Sequence, residues 1–199
     1  ACVLAIPLGI IAALRPGGSV DRTTVFVSLL GLSVPQFWLG LLFIVIFAVQ
    51  LGILPTSGAG TPKHIIMPAM TMALPALARL VMLVRSSMID ELNQQYVKTS
   101  FAKGLPFIRV VGMHALRNAA LPVMTLVGWE VIRALAGYSV VVETVFAWPG
   151  IGLTAIQAIE REDLVLVQAI VFTSAFSVVL INIAMDFIYK LIDPRLKLN

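Results

Sequence analysis

The sequence is poor in charge and in cysteine, and both shortages restrict the class of protein. Charged residues make up 12% of the 199 residues, against about 25% in a typical soluble domain. Hydrophobic residues make up 59%, and the mean hydropathy is +0.99. Cys2 is the only cysteine, so no disulfide forms within the chain. These values exclude an ordinary soluble domain and indicate a polytopic α-helical membrane protein.

Motifs for nucleotide binding, metal binding and hydrolysis are missing as well. There is no G-x-x-x-x-G-K-[ST] phosphate-binding loop and no G-x-S-x-G elbow. His64 and His114 fall at different predicted depths, and no Cys or His group has the spacing of metal ligands. We therefore expect no enzyme activity, cofactor or metal on this chain. The net charge of +4 comes from basic residues dispersed between apolar runs, so no nucleic-acid partner is expected.

The apolar runs are continuous rather than alternating, which favours membrane-spanning helices of roughly 20 residues over barrel strands. The first run is too short to span alone and is interpreted as the second half of a truncated span. Pro35 interrupts the second run. Residues 153–159 are predicted to form a short interfacial or re-entrant helix. The five predicted apolar units are residues 1–14, 23–51, 64–88, 116–142 and 164–188.

Basic residues predict the orientation of the spans. If successive spans alternate direction, ten of the fourteen Lys and Arg residues share one side, which the positive-inside rule assigns to the cytosol. This places the loop at about 90–115 and the C-terminus in the cytosol, and the loops at about 52–63 and 143–163 outside. The ten residues are Arg15, Arg22, Arg85, Lys98, Lys103, Arg109, Arg117, Lys190, Arg195 and Lys197.

Residues 96–122, here called the basic segment, form an amphipathic stretch between apolar runs. Phe101, Leu105 and Ile108 recur at the i, i+4, i+7 spacing of one helix face. Gly104 suits a helix end and Pro106 suits the start of another helix. The pattern predicts two short helices at a membrane surface that offer an apolar face. That face fits either a groove in a cytosolic partner or the lipid headgroups.

Four charged residues lie at apparent membrane depth, where each costs about 2.5–3.5 kcal/mol on insertion scales. Glu130 and Arg133 are three positions apart and share a helix face. We expect them, with Trp129 beside them, to line a translocation path; a purely structural pair is the alternative. The other two are Arg79 and Asp186.

Several motifs closely resemble permeases of the dipeptide/oligopeptide/nickel group of ABC importers, and the match covers essentially the whole chain. They are RSSM (85–88), YVKTSFAKGL (96–105), HALRNAALPV (114–123), VETVFAWPGIG (142–152) and the ending Asp186, Tyr189, Asp193, Pro194 and Arg195. The chain departs from the family at two places. The general importer loop begins Glu-Ala-Ala where this chain has Lys98, Thr99 and Ser100, and the peptide-type loop commonly has Arg where this chain has Phe101.

The resemblance implies a fold and a docking surface. It implies one transmembrane permease domain over 1–199, a type I helical bundle with about five transmembrane segments, truncated at its N-terminus. Two cytosolic coupling helices would dock in a groove of an ATPase. The residues expected to couple to the ATPase are Lys98, Thr99, Ser100, Phe101, Lys103, Gly104, Leu105 and Arg109.

The resemblance also implies a function. The chain would be a transport subunit for peptides in a bacterial or archaeal cytoplasmic membrane, paired with a different permease subunit as a heterodimer. Two cytosolic ATPases would bind ATP and Mg²⁺, and an extracytoplasmic binding protein would deliver substrate. Nickel chelates, glutathione and opines are alternative substrates. A transporter driven by ion gradients and a structural membrane protein are alternatives of another class.

Overall fold

A computed structural model describes residues 1–192 as helices joined by turns and loops, with no strand in that range. The side chains of residues 136 and 189–192, and all of 193–199, lie outside the description, as do the predicted motif residues Asp193, Pro194 and Arg195. The helices are α1 (Cys2–Ala13), α2 (Ser19–Ser33), α3 (Gln36–Phe43), α4 (Ile66–Leu92), α5 (Gln95–Ala102), α6 (Phe107–Arg109), α7 (Leu116–Arg133), α8 (Ser139–Val145), α9 (Ile151–Glu160) and α10 (Leu164–Ile192).

Helices of other pitch continue several of these elements. Wider π-helical turns follow α3, α6 and α7, and a 3₁₀ turn precedes α4; they cover Ile44–Gln50, Val110–Ala115, Ala134–Tyr138 and Pro62–Ile65. Pro35 adopts an extended conformation between α2 and α3, as the sequence predicted. Proline fixes its own φ and lacks an N–H, so a helix ends readily before it. The all-helical class is confirmed.

Helix length and composition show a multi-pass membrane protein. Among the described residues, three helices are long and apolar enough to cross a bilayer: Pro62–Leu92, Phe107–Arg133 and Leu164–Ile188. A bent pair, Ser19–Ser33 with Gln36–Gln50, passes the same test as one span. Two predicted segments correspond to shorter apolar helices. The predicted half-span at 1–14 is Cys2–Ala13, and the predicted interfacial or re-entrant helix at 153–159 is Ile151–Glu160.

One predicted span is wrong in its extent. The sequence predicted a continuous unit over 116–142, but the helix is interrupted within the π-helical turn after α7. Gly137 has φ 120° and ψ −6° there, which is not helical. Glycine adopts this conformation at little cost because it has no Cβ. The sequence does not reveal this break, because the hydropathy stays high on both sides of Gly137.

The described chain contains two compact units, and the first combines Ala1–Leu32, Ala76–Gly128 and the stretch from Asp186. Its core packs large side chains of α4 against small ones of α1 and α7. A Cβ on Gly9 would lie 2.6 Å from the Val84 side chain, so α1 and α4 approach closely only because residue 9 is glycine. The buried core residues are Ala5, Ala13, Leu80, Val81, Val84, Met88, Val111, Ala115, Ala119 and Val123.

The second unit combines Ser33–Pro75 and Trp129–Met185. Phe43, Met67, Val142 and Phe146 form its buried core. A Cβ on Gly40 would lie 3.2 Å from the Phe146 ring, so α3 packs tightly on the end of α8. The single domain expected over 1–199 stays a prediction.

Candidate functional site

The basic segment begins with a helix that ends in a specific capping motif. The Gly104 amide donates to the Phe101 carbonyl at 2.9 Å, and the Leu105 amide donates to the Ser100 carbonyl at 3.2 Å. Together with φ +76° at Gly104, these bonds form a Schellman motif. Pro106 then precedes the first turn of α6. The structure therefore has the helix, glycine turn and helix that the sequence predicted.

The predicted apolar stripe does not lie on one helix. The Schellman turn separates Phe101 on α5 from Leu105, which is half-buried in the turn, and from Ile108 on α6. The i, i+4, i+7 interpretation was wrong because it assumed helical phase across the break. Phe107, which the sequence analysis did not select, stacks instead on Phe101 with ring centroids 6.2 Å apart. Both rings are substantially exposed.

Cationic and small polar side chains flank this aromatic pair in the sequence. Lys98, Lys103 and Arg109 are exposed, and none of them makes an ion pair within residues 1–192. The Thr99 and Ser100 hydroxyls donate to carbonyls one turn earlier in α5, at 2.9 and 2.8 Å. The surface thus combines exposed aromatic area with free positive charge, while its hydroxyls are used within the helix.

Helix α5 is attached to the long helices through Tyr96. Val97 is buried, and the Tyr96 hydroxyl donates to the Glu91 carboxylate of α4. Asn118 of α7 donates to the same Tyr96 oxygen at 3.0 Å. Burial raises the pKa of Tyr96 above its usual value, and the hydrogen bond to Glu91 raises it further. Apolar periodicity gives no signal for this cluster, because its three members are polar and lie on three elements.

The charged pair predicted on a shared helix face is present. Arg133 Nη1 lies 4.0 Å from Glu130 Oε1, and the side chains are 35% and 13% exposed respectively. The Arg133 guanidinium also lies 4.8 Å from the ring centre of Tyr138, across the Gly137 break. Trp129 beside them is more than half exposed. Tyr138 was missed because only the local break brings it to Arg133.

Glu143 holds together the loop that follows α8. The Leu153 amide, in the first turn of α9, donates to Glu143 Oε2 at 2.9 Å. A carboxylate at this helix end satisfies an unpaired N–H and interacts favourably with the helix dipole. A Cβ on Gly152 would lie 2.7 Å from the Val140 backbone, and one on Gly150 would overlap the Glu143 carboxylate. The Glu and the two glycines therefore form one structural motif.

Gln36 is a further polar group that the sequence analysis did not select. It is the first residue of α3 and is buried, and its Nε2 has no hydrogen-bond partner within the described part of the chain. An unsatisfied buried donor costs about 1–3 kcal/mol. Within residues 1–192, no group of three or more His, Cys, Asp or Glu side chains could hold a metal ion.

Comparison with known proteins shows the family. Residues 5–198 match the family described as binding-protein-dependent transport system inner membrane component, and the chain belongs to it. It is 39% identical over 207 residues to an oligopeptide transport system permease protein, AppB, of Bacillus subtilis, covering 99% of this chain and 65% of the relative. It is 34% identical to a dipeptide transport system permease protein, DppB, of Escherichia coli, covering 99% and 67%.

A third relative and a solved structure complete the comparison. The glutathione transport system permease protein GsiC of Pectobacterium atrosepticum is 38% identical, with 99% of this chain and 64% of the relative covered. The chain thus spans about two thirds of the length of these relatives. The inward-facing MetNI methionine ABC transporter matches with a TM-score of 0.70 at 20% identity, covering 96% of this chain and 86% of that chain. At this identity the likeness shows the fold, that of an ABC importer permease.

Proposed function

We propose that the chain is a permease subunit of an ATP-driven, binding-protein-dependent importer and that it translocates peptides. The family and the relatives named for oligopeptide and dipeptide transport support this proposal. The relative named for glutathione transport supports a peptide-like substrate too, since glutathione is a tripeptide. Nickel chelates and opines remain the alternative cargoes. The partners are a second permease subunit, two ATPases and an extracytoplasmic binding protein.

The exposed Phe101–Phe107 pair is the observation that carries the proposal for this chain. Exposed aromatic side chains are typical of the centre of a protein interface, and polar or charged side chains are typical of its rim. In the proposed complex, the pair enters a groove of the ATPase, and Lys98, Lys103 and Arg109 contact its rim. Gly104 and Leu105 set the angle between the two helices, and Thr99 and Ser100 contribute backbone and aliphatic carbon surface. ATP and Mg²⁺ bind to the ATPase and not to this chain.

The proposed topology follows the distribution of basic residues. The basic segment and the C-terminus face the cytosol, and the loops near 52–63 and 143–163 face outward. The polar group of Trp129, Glu130 and Arg133 is proposed to line the translocation path, with Tyr138 joining it. A peptide is a zwitterion, so a lining with both signs of charge interacts with both of its ends. The membrane is the cytoplasmic membrane of a prokaryote.

Co-purification of the ATPase tests the proposal. Phe101→Glu combined with Phe107→Glu places two carboxylates where an apolar groove would receive two rings. Desolvating them costs several kcal/mol, so we expect ATPase retention to fall by about 100-fold or more. Ile53→Glu is the matched control, because Ile53 is at least as exposed as the two rings but lies in a loop outside the basic segment. It should leave retention unchanged.

One result would contradict the docking proposal and another the proposal of ATP-driven import. One is full ATPase retention and full ATP hydrolysis in the double glutamate variant. The other is peptide uptake by the wild-type complex in vesicles without ATP, which would favour a transporter driven by an ion gradient. Loss of membrane insertion is monitored separately by the yield of folded protein in detergent.

A further inference from the structure

Helix α5 has an outer face and an inner face with different chemistry. The outer face presents Lys98 and Phe101, which are exposed, and the inner face presents Tyr96, which lies about 140–200° away from them around the helix. Val97, which lies between Tyr96 and Phe101 in this projection, is buried. The helix has only eight residues and ends in a turn. A displacement applied to its outer face reaches the spans through its inner face and through the two-residue connection, Asn93 and Gln94, to α4.

A single hydroxyl group makes the polar links of that inner face. Tyr96 Oη donates to Glu91 Oε2 of α4 and accepts from Asn118 Nδ2 of α7 at 3.0 Å. Asn118 Nδ2 also lies 3.4 Å from Glu91 Oε2, which closes the triangle. Within the described residues, these are the side-chain hydrogen bonds that join α5 to the long helices. The hydroxyls of Thr99 and Ser100 bond only within α5.

The chemistry of the hydroxyl suits a permanent link. Burial and the neighbouring Glu91 carboxylate both raise the pKa of Tyr96. The group therefore stays protonated at neutral pH and donates one hydrogen bond while it accepts another. A phenol in this state connects a carboxylate and an amide with fixed geometry.

We propose that Tyr96 is a positioning residue that transmits movement of α5 to α4 and α7. The inference rests on the proposed docking of an ATPase on the outer face of α5. When the ATPase moves that face, the Tyr96 hydroxyl makes α5 and the cytosolic ends of both spans move together. Without the hydroxyl the ring still packs, but α5 can pivot on the spans, and part of the ATP hydrolysed is not converted into transport.

Tyr96→Phe in the complete importer tests this role. The variant complex, with its ATPases and binding protein, is reconstituted in vesicles, and uptake of labelled alanyl-alanine and ATP hydrolysis are measured together. We expect unchanged ATPase retention, a loss of thermal stability no larger than that of one net hydrogen bond, and about a three- to tenfold fall in peptide taken up per ATP hydrolysed, the factor that corresponds to the same single hydrogen bond. Thr125→Val is the control, because the Thr125 hydroxyl bonds only within α7.

A double-mutant cycle distinguishes a link from two independent effects. Asn118→Ala should lower the same ratio, and adding it to Tyr96→Phe should cause little further loss, because both changes remove one connection. Losses that multiply, an unchanged ratio in Tyr96→Phe, or a loss that follows reduced ATPase retention would each overturn the proposal. If the wild-type complex itself retains no ATPase, the proposed function fails. If the wild type is coupled and Tyr96→Phe equals it, only this inference fails.

Discussion

Two regions of the chain use their charged side chains differently. In the basic segment, Lys98, Lys103 and Arg109 are exposed and make no ion pair within residues 1–192. In the segment 129–152, Arg133 pairs with Glu130 and lies over the Tyr138 ring, and Glu143 accepts a hydrogen bond from the Leu153 amide. The first segment keeps its backbone in place with a Schellman motif and leaves its charges outward. The second uses its charges to hold a broken helix and a loop. A charged residue therefore indicates a partner surface only when its interactions within the chain are known.

The largest effect is expected where the second segment packs most tightly. Gly152→Ala should destabilise the protein by about 2–3 kcal/mol, because its Cβ would meet the Val140 backbone, which cannot move aside as a side chain tip does. Thermal unfolding in detergent measures the change. Gly112→Ala is the matched control: it lies in the basic segment with nothing within 4 Å of the added Cβ, and its stability should not fall. An equal loss of thermal stability in both variants would show that the two segments do not differ in how tightly their glycines are packed.

An intermediate effect is expected at the charged pair. If Glu130 and Arg133 line the path, the double variant Glu130→Gln with Arg133→Met should stay folded but transport peptide about tenfold more slowly or with altered selectivity. If the pair is only structural, Glu130→Gln alone should destabilise the protein and the double change should restore stability and transport together. Uptake in vesicles and thermal unfolding separate the two. Normal rate and selectivity in a stable double variant would refute the path assignment.

The smallest effect is expected at Glu143 and tests whether its charge or its oxygen matters. Glu143→Ala should cost about 1 kcal/mol, because the Leu153 amide loses its acceptor at the start of α9. Glu143→Gln keeps an acceptor oxygen and should cost less than half as much. Chemical or thermal unfolding of both variants gives the difference. Equal losses would mean that the negative charge, and not hydrogen bonding, stabilises the helix end.

Sequence reasoning worked where a single residue type determines the backbone. Pro35 predicted the break between α2 and α3, and Gly104 with Pro106 predicted the turn between α5 and α6. It failed where the phase of a helix changes, as between Phe101 and Ile108. It also failed at Gly137, because nothing in an apolar run distinguishes a glycine that continues the helix from one that breaks it. The roles of the coupling and path residues stay predictions.

The sequence by itself determined that this is a helical membrane protein of the importer permease family, because low charge, long apolar runs and motif order are properties of the chain alone. Only the tertiary structure decided that Phe107 pairs with Phe101, that Tyr138 lies over Arg133, and that Tyr96 joins Glu91 to Asn118. The physical reason is that each of these contacts depends on where a turn or a break redirects the backbone. Hydrophobicity determines which residues enter the membrane, whereas these contacts can be identified only when the path of the backbone is known.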